Sequence, residues 1–251
     1  MINAPKKRRS FRTFLKRLKN DNSGLALVEF AISLPFFMGL TIGGFEVASY
    51  SLTHMRLNQL TINTADSAAR MGEGNPLQAK RITELMINDV FAGTIREGES
   101  VLLGGDHPFV DPSTGEIVLR GNARIIVSSV EPVAAFDPDD PRYRIRWQRC
   151  IGQASRYTSN FGDPDTATSE VAIGPAGRQV APPEGGAIMF VELQYFYRPA
   201  ILNGFTRLTD RTITQTAAMV VRDDRDYTQI FNPESVNISD CDDAPITPPT
   251  S

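Results

Sequence analysis

The sequence predicts an α+β protein in which a long N-terminal helix crosses a membrane, extends into the space beyond and packs on an antiparallel β-sheet domain. Three observations carry this reading. An apolar run extends from Leu25 to Phe45, a proline-free stretch at helical spacing follows it, and short β-branched or alternating segments recur after Gly93. A chain of 251 residues can bury a core without metal or disulfide staples, which suits one globular domain with appendages.

The first element is a basic leader. Lys6, Lys7, Arg8, Arg9, Arg12, Lys16, Arg17 and Lys19 face a single acidic residue, Asp21, before Leu25. The remaining 18 basic and 28 acidic residues leave the rest of the chain near −10, which would repel a nucleic-acid backbone and argues against a nucleic-acid partner. A basic cluster directly before an apolar run is the expected flank of a cytoplasmic membrane face.

Leu25 to Phe45 contains one ionisable side chain, Glu29, and as a helix measures about 30 Å, the thickness of the bilayer hydrocarbon. A secretory signal peptide has a shorter apolar core ending at a small-residue cleavage site, and no Ala-x-Ala follows Phe45. The segment therefore reads as a retained anchor in membrane lipid, with the N-terminus cytoplasmic and residues after about 46 outside. Within it, Gly39 and Gly43 form a Gly-x-x-x-Gly spacing that permits close helix approach but is common by chance. Pro35 is tolerable inside a membrane helix.

From Glu46 to Met71, Tyr50, Leu57, Leu60, Thr64, Ala68 and Met71 fall on one helical face, so the helix should continue as a single rod until Gly72-Glu-Gly74. Asn75-Pro76 reads as the cap of a second helix with Leu77, Ile82, Leu85, Met86 and Val90 buried and Gly93 closing it. Strands are expected at Ile117–Leu119, Arg124–Val130, Arg142–Arg149, Ala187–Arg198 and Arg211–Val221. Simple alternation places Tyr143, Ile145 and Trp147 on one face, and Val191, Leu193, Tyr195 and Tyr197 on another. The Gly-, Pro-, Asp- and Ser-rich stretches 137–141, 155–183 and 232–251 read as loops and a tail. The expected organisation is a basic cytoplasmic leader 1–24, a membrane helix 25–45, a helical stalk 46–92, a β-rich outer domain 93–231 and a flexible tail 232–251.

Cys150 and Cys241 both fall in the outer portion. They read as a disulfide or as two buried thiols. In an oxidising compartment, a pair without metal-ligand spacing is most simply a disulfide, closing a loop of about 90 residues and contributing about 4 to 5 kcal/mol.

Enzyme chemistry finds no signature. His54, on the extended helix, and His107, beside Pro108 in an expected turn, join no spaced ligand set. Nucleophile-elbow, His-Glu-x-x-His and phosphate-loop patterns are lacking. The aspartates 137, 139 and 140 and the aspartates 223, 224 and 226 do not follow calcium-loop spacing, so no metal, catalytic residue or cofactor is assigned.

Gly24-Leu-Ala-Leu-Val-Glu-Phe-Ala-Ile-Ser-Leu-Pro35 resembles the processing region of type IV pilin-like proteins, and more closely the start of the TadE/TadG family of Flp (Tad) pilus assembly. The likeness covers about a dozen residues plus the order of leader, apolar helix and outer domain. The Asp-x-Ser-x-Ser signature of a von Willebrand type A domain is lacking, so the resemblance is nearer TadE than TadG. It implies a pilin-like fold and cleavage by a prepilin peptidase between Gly24 and Leu25. Glu29 would then be the fifth mature residue and, with Phe30, part of the assembly determinant. Other implied partners are the Tad inner-membrane platform proteins, other minor pilins and the major Flp pilin. A glycine lets a protease lay extended backbone across its site. A carboxylate one turn into an apolar helix is costly unless it is paired or snorkels to the head groups. The competing expectation is an uncleaved, signal-anchored periplasmic protein that binds a component of the envelope.

Overall fold

The computed structural model describes residues 24–74, 79–132, 143–164, 172–184, 186–199 and 211–242. The expected leader 1–24, apart from Gly24, lies outside these, as do Asn75-Pro76 and the aspartates 137, 139 and 140. The chain divides into two compact units with the boundary between Ala48 and Ser49.

Helix α1, Leu25–Arg70, is one continuous helix of 46 residues that passes through Pro35. Its end is fixed from two sides. Gly72 adopts φ +135°, a conformation open to glycine. The Arg225 guanidinium, itself buried, donates to the carbonyls of Ala68 and Ala69 at 3.2 and 2.6 Å, satisfying acceptors that a helix terminus leaves open.

The second helix differs from expectation. α2 runs Glu84–Glu97, capped by the Thr83 hydroxyl, which accepts from Met86 N. It buries Ile87, Asn88, Phe91 and Thr94, while Leu85 is exposed and Gly93 lies inside the helix. Residues before Thr83 are held in extended pairings, Glu73 with Arg81 and Lys80 with Arg225, so the helix cannot begin until those pairings end. A 3-10 turn, Gly98–Val101, follows.

Strands β1, Asp106–Val110, and β2, Ile117–Gly121, form a two-stranded antiparallel hairpin. The sequence reading placed a turn where β1 lies. His107 sits in that strand, buried, with Nδ1 2.9 Å from Asn122 Oδ1 and its ring stacked on Phe196.

A four-stranded antiparallel sheet, ordered β4-β3-β5-β6, consists of β3 (Ala123–Pro132), β4 (Tyr143–Ile151), β5 (Ile188–Tyr197) and β6 (Arg211–Val220). One face packs Ile125, Val127, Met189, Val191 and Leu193 against Leu57, Leu60 and Ala65 of α1 and Ile87 and Phe91 of α2. Opposite, Val130, Tyr143, Ile145, Ile188 and Phe190 pack together with Ile173. Strand β5 is buried on both faces, which one-sided alternation did not anticipate.

The β3–β4 register shifts between Ser129 and Val130, because Ser129 pairs with Trp147 and Val130 with Ile145. The extra residue, Arg146, turns Trp147 to the helix side while Tyr143 and Ile145 remain on the other. The expected common face for these three aromatic and aliphatic residues is corrected accordingly. Of the stretch read as a tail, residues 232–242 are described and 243–251 lie outside the described residues. Residues 232–242 are docked: Asn88 Nδ2 donates to Asn237 O at 2.8 Å, Cys150 N donates to Ser239 O at 2.8 Å, and Cys150 is bonded to Cys241.

Candidate functional site

Two regions of chemical interest emerge. The first is the N-terminal part of α1. Leu27, Ile32 and Phe36 are 73%, 74% and 67% exposed, and an 18-residue stretch of mean hydropathy 2.0 contains no buried residue. It is the one helix among the described residues long and apolar enough to cross a membrane.

The predicted residues of this region are strung along that helix rather than gathered in a cleft. Gly24 O accepts the first helical hydrogen bond, from Val28 N at 3.1 Å. Glu29 and Phe30 follow on the exposed surface, and no hydrogen bond or ion pair to Glu29 occurs among the described residues. A side chain at Gly24, Gly39 or Gly43 would meet nothing within 4 Å, so packing inside this chain does not require glycine at these positions. Ser33 and Thr41 return their hydroxyls to Phe30 O and Phe37 O, which keeps both polar groups satisfied within the apolar helix.

The second region is a cavity of about 320 Å³ in the second unit, on the helix side of the sheet near β4. Its construction is local. The Thr83 cap places Glu84 at the first turn of α2, where Arg149 of β4 reaches it through Nε at 3.0 and 3.2 Å and through Nη2. The β-bulge brings Trp147 to this side, and the last residues of β3 bring Glu131. Tyr227, Ile230 and Ile238 come from the C-terminal segment that the disulfide tethers.

The electrostatics of this cavity are uneven. Arg149 is fully engaged by Glu84 and by Gln148 O. Glu131, with its side chain 6% exposed, has Oε1 3.5 Å from Arg146 Nε and 3.9 Å from Arg144 Nη2, but its Oε2 has no hydrogen-bond partner. Burial pushes the Glu131 carboxyl up, against the opposing pull of Arg146 and Arg144. Burial likewise raises the Tyr227 hydroxyl.

Elsewhere in the sheet, Glu192 is 0% exposed. Its carboxylate accepts from the Ser159 hydroxyl, Asn160 N and Asn160 Nδ2, pinning the loop after β4 to the sheet. Burial raises its carboxyl above the ordinary range despite those three donors. Sequence reading missed Glu84, Glu131, Trp147 as a cavity wall, and Glu192. An acidic residue inside Ile188–Tyr197 was a visible signal for the last of these.

Asp223 pairs with Lys80 at 2.7 Å, tying distant parts of the chain, and Asp226 accepts from Thr228 within its own turn. No cluster of three or more potential metal ligands occurs among the described residues. No protein-family profile, curated protein or solved structure matches the chain.

Proposed function

We propose that this chain is a single-pass protein of a bacterial inner membrane, with its C-terminal domain periplasmic, that acts as a TadE-like minor pilin in assembling a Flp/Tad pilus. The observation that carries the reading is the exposed apolar half of α1, preceded by Gly24 and bearing one acidic residue, Glu29, without a partner among the described residues. Exposed apolar surface of this extent needs lipid or other helices around it. The Cys150–Cys241 bond suits an oxidising compartment.

In this reading a prepilin peptidase cuts between Gly24 and Leu25 and removes the basic leader. The new amino group of one subunit then meets Glu29 of a neighbour, and mutual neutralisation offsets the cost of a charge in the bilayer. Gly39 and Gly43 let a partner helix approach. The partners are the inner-membrane platform, other minor pilins and the major pilin, and the role is assembly rather than catalysis.

N-terminal sequencing of the membrane protein from cells with and without the peptidase tests this. A peptidase-dependent start at Leu25, together with loss of pili in Glu29→Ala, is expected. An intact leader in both strains overturns the processed-pilin reading in favour of an uncleaved anchored protein that binds the envelope, and normal pili in Glu29→Ala remove the proposed role of that carboxylate.

A further inference from the structure

Strand β6 forms one edge of the four-stranded sheet, and its outer side carries backbone groups that the described chain does not use. We propose that this edge is a docking site for an extended, uncharged segment of a different protein, which adds to the sheet as a fifth strand. The edge lies in the second unit, so the proposal is independent of the pilus reading; only the exclusion of a second copy rests on the membrane-anchored reading.

In an antiparallel sheet, successive residues of a strand turn their backbone N–H and C=O groups to opposite neighbours. Two hydrogen bonds fix which residues of β6 turn outward. Phe196 N donates to Asn122 O at 2.8 Å, so the even-numbered residues of β5 face β3 and the odd-numbered ones face β6. Val221 N donates to Ala187 O at 2.9 Å, which sets the odd-numbered residues of β6 against β5. Thr212, Thr214, Thr216, Ala218 and Val220 therefore direct their backbone groups away from the sheet, and among the described residues no backbone group bonds to them there.

Open sheet edges are commonly blunted by charge, proline or a bulge. Between Thr212 and Val220 there is neither a charged residue nor a proline, and the pairing with β5 runs without a register shift. Thr212, Thr214 and Val220 are exposed, while Thr216 and Ala218 are half-buried. The opposite edge differs, because Cys150 N of β4 donates to Ser239 O and Arg146 Nη2 donates to Thr228 O, which lays the C-terminal segment along β4. Just past β6 the chain is also covered: Lys80 N donates to Asp224 O at 2.8 Å and Lys80 O accepts from Asp226 N at 2.9 Å. The row from Thr212 to Val220 lies between these covered stretches without a strand of its own.

The chemistry of the edge describes its occupant. Backbone donors and acceptors in regular alternation are matched together by another extended backbone. Side chains of the added strand lie beside Ile213, Ala217 and Met219 on the face toward α1, and beside Thr214, Thr216 and Ala218 on the other. None of these carries charge, which favours β-branched and apolar residues in the incoming segment. A second copy is excluded by direction. Tyr50 packs on Tyr197, the cross-strand partner of Arg211; His54 Nε2 lies 3.1 Å from Gln215 Nε2; and Arg225 holds the carbonyls of Ala68 and Ala69. The part of α1 beyond Ser49 thus runs in the same sense as β6. Antiparallel pairing of two β6 edges would send two α1 helices in opposite directions, which chains anchored by α1 in one membrane cannot adopt.

The probe is acetyl-Thr-Val-Thr-Val-Thr-Val-Thr-amide with its valines N-methylated, which leaves one edge able to pair and prevents self-assembly. The same peptide N-methylated at every residue keeps the side chains and loses the backbone donors. Amide hydrogen exchange of the full chain in detergent micelles is followed by NMR. Without peptide, the amides of Thr214, Thr216 and Ala218 should exchange fast while those of Ile213, Gln215 and Ala217 are protected. The first peptide should slow the three outward amides saturably, by about tenfold or more, and the fully methylated one should not. Thr216→Pro removes an outward N–H and spares the ladder to β5, so it should weaken binding about tenfold. Should that variant fail to fold, the two peptides on the unmodified protein decide the matter. Unchanged exchange at millimolar peptide, equal slowing by both peptides, or outward amides already protected in the monomer overturns the proposal. Protection that grows with protein concentration alone assigns the edge to a second copy and also overturns it. None of these outcomes depends on whether the chain is cut after Gly24, so failure here is distinct from failure of the pilus reading.

Discussion

Replacing Cys150 and Cys241 together by alanine removes the covalent tie between β4 and the C-terminal segment. The bonded residues are 91 positions apart. Loop-closure entropy for such a separation amounts to about 4.6 kcal/mol at 25 °C, and removal of native disulfides typically costs about 2 to 5 kcal/mol. Other ties survive the change, including Cys150 N to Ser239 O at 2.8 Å and the Ser239 hydroxyl to Asn88 Oδ1 at 2.7 Å. The native arrangement is therefore expected to persist with reduced stability. Urea denaturation of the full chain in micelles, followed by Trp147 fluorescence, measures the loss, because Trp147 lies on β4 with Cys150. A loss of about 2 to 5 kcal/mol is expected, corresponding to a Tm lower by roughly 5 to 15 °C for a unit of this size. Reduction of the unmodified protein should reproduce it. A loss below about 1 kcal/mol would refute the idea that this bond constrains the unfolded chain.

Three further outcomes follow from the buried polar groups and one close backbone approach. Because burial raises the Glu192 carboxyl, its stabilising contribution is complete below the unfolded value near pH 4.3 and is lost as pH climbs through the folded value. Glu192→Gln should therefore gain stability relative to the parent by about 1.4 kcal/mol per pH unit across that window, and parallel pH–stability curves would contradict this. Glu84→Ala leaves the partly buried Arg149 without its carboxylate and should cost about 2 to 4 kcal/mol by denaturant titration, whereas the double replacement of Glu84 and Arg149 by methionine should cost far less. Gly152→Ala should destabilise by more than about 2 kcal/mol, since Gly152 has φ +108° and an added Cβ would lie 2.3 Å from Ala123 O; a wild-type melting curve would count against it.

The long helix was legible because its causes are local. Apolar side chains, helical spacing and the absence of proline between Glu46 and Met71 act within a few residues, and Gly72 ends the helix by its own backbone freedom. Strands β3 to β6 were legible for a similar reason, since β-branched and alternating residues fit a pleated surface. Strand β1 was hidden because Asp106-His-Pro-Phe-Val carries a proline and little alternation, and it is held by pairing to β2 and by His107 against Phe196. The start of α2 was misplaced because Asn75-Pro76 offers a plausible cap, while the pairings of Lys80 with Arg225 and Thr83 with Phe231 that delay the helix come from distant parts of the chain.

By itself the sequence determined the apolar span, the charge asymmetry around it, the two candidate cysteines and the α+β class, all properties carried by neighbouring residues. Tertiary structure alone decided that the cysteines bond, that residues 232–242 dock, and that one extra residue at Arg146 turns Trp147 toward Glu131 and Arg149. The physical reason is that register and long-range pairing depend on what lies opposite each strand, and a shift of a single residue exchanges the two faces without leaving a mark in the local pattern.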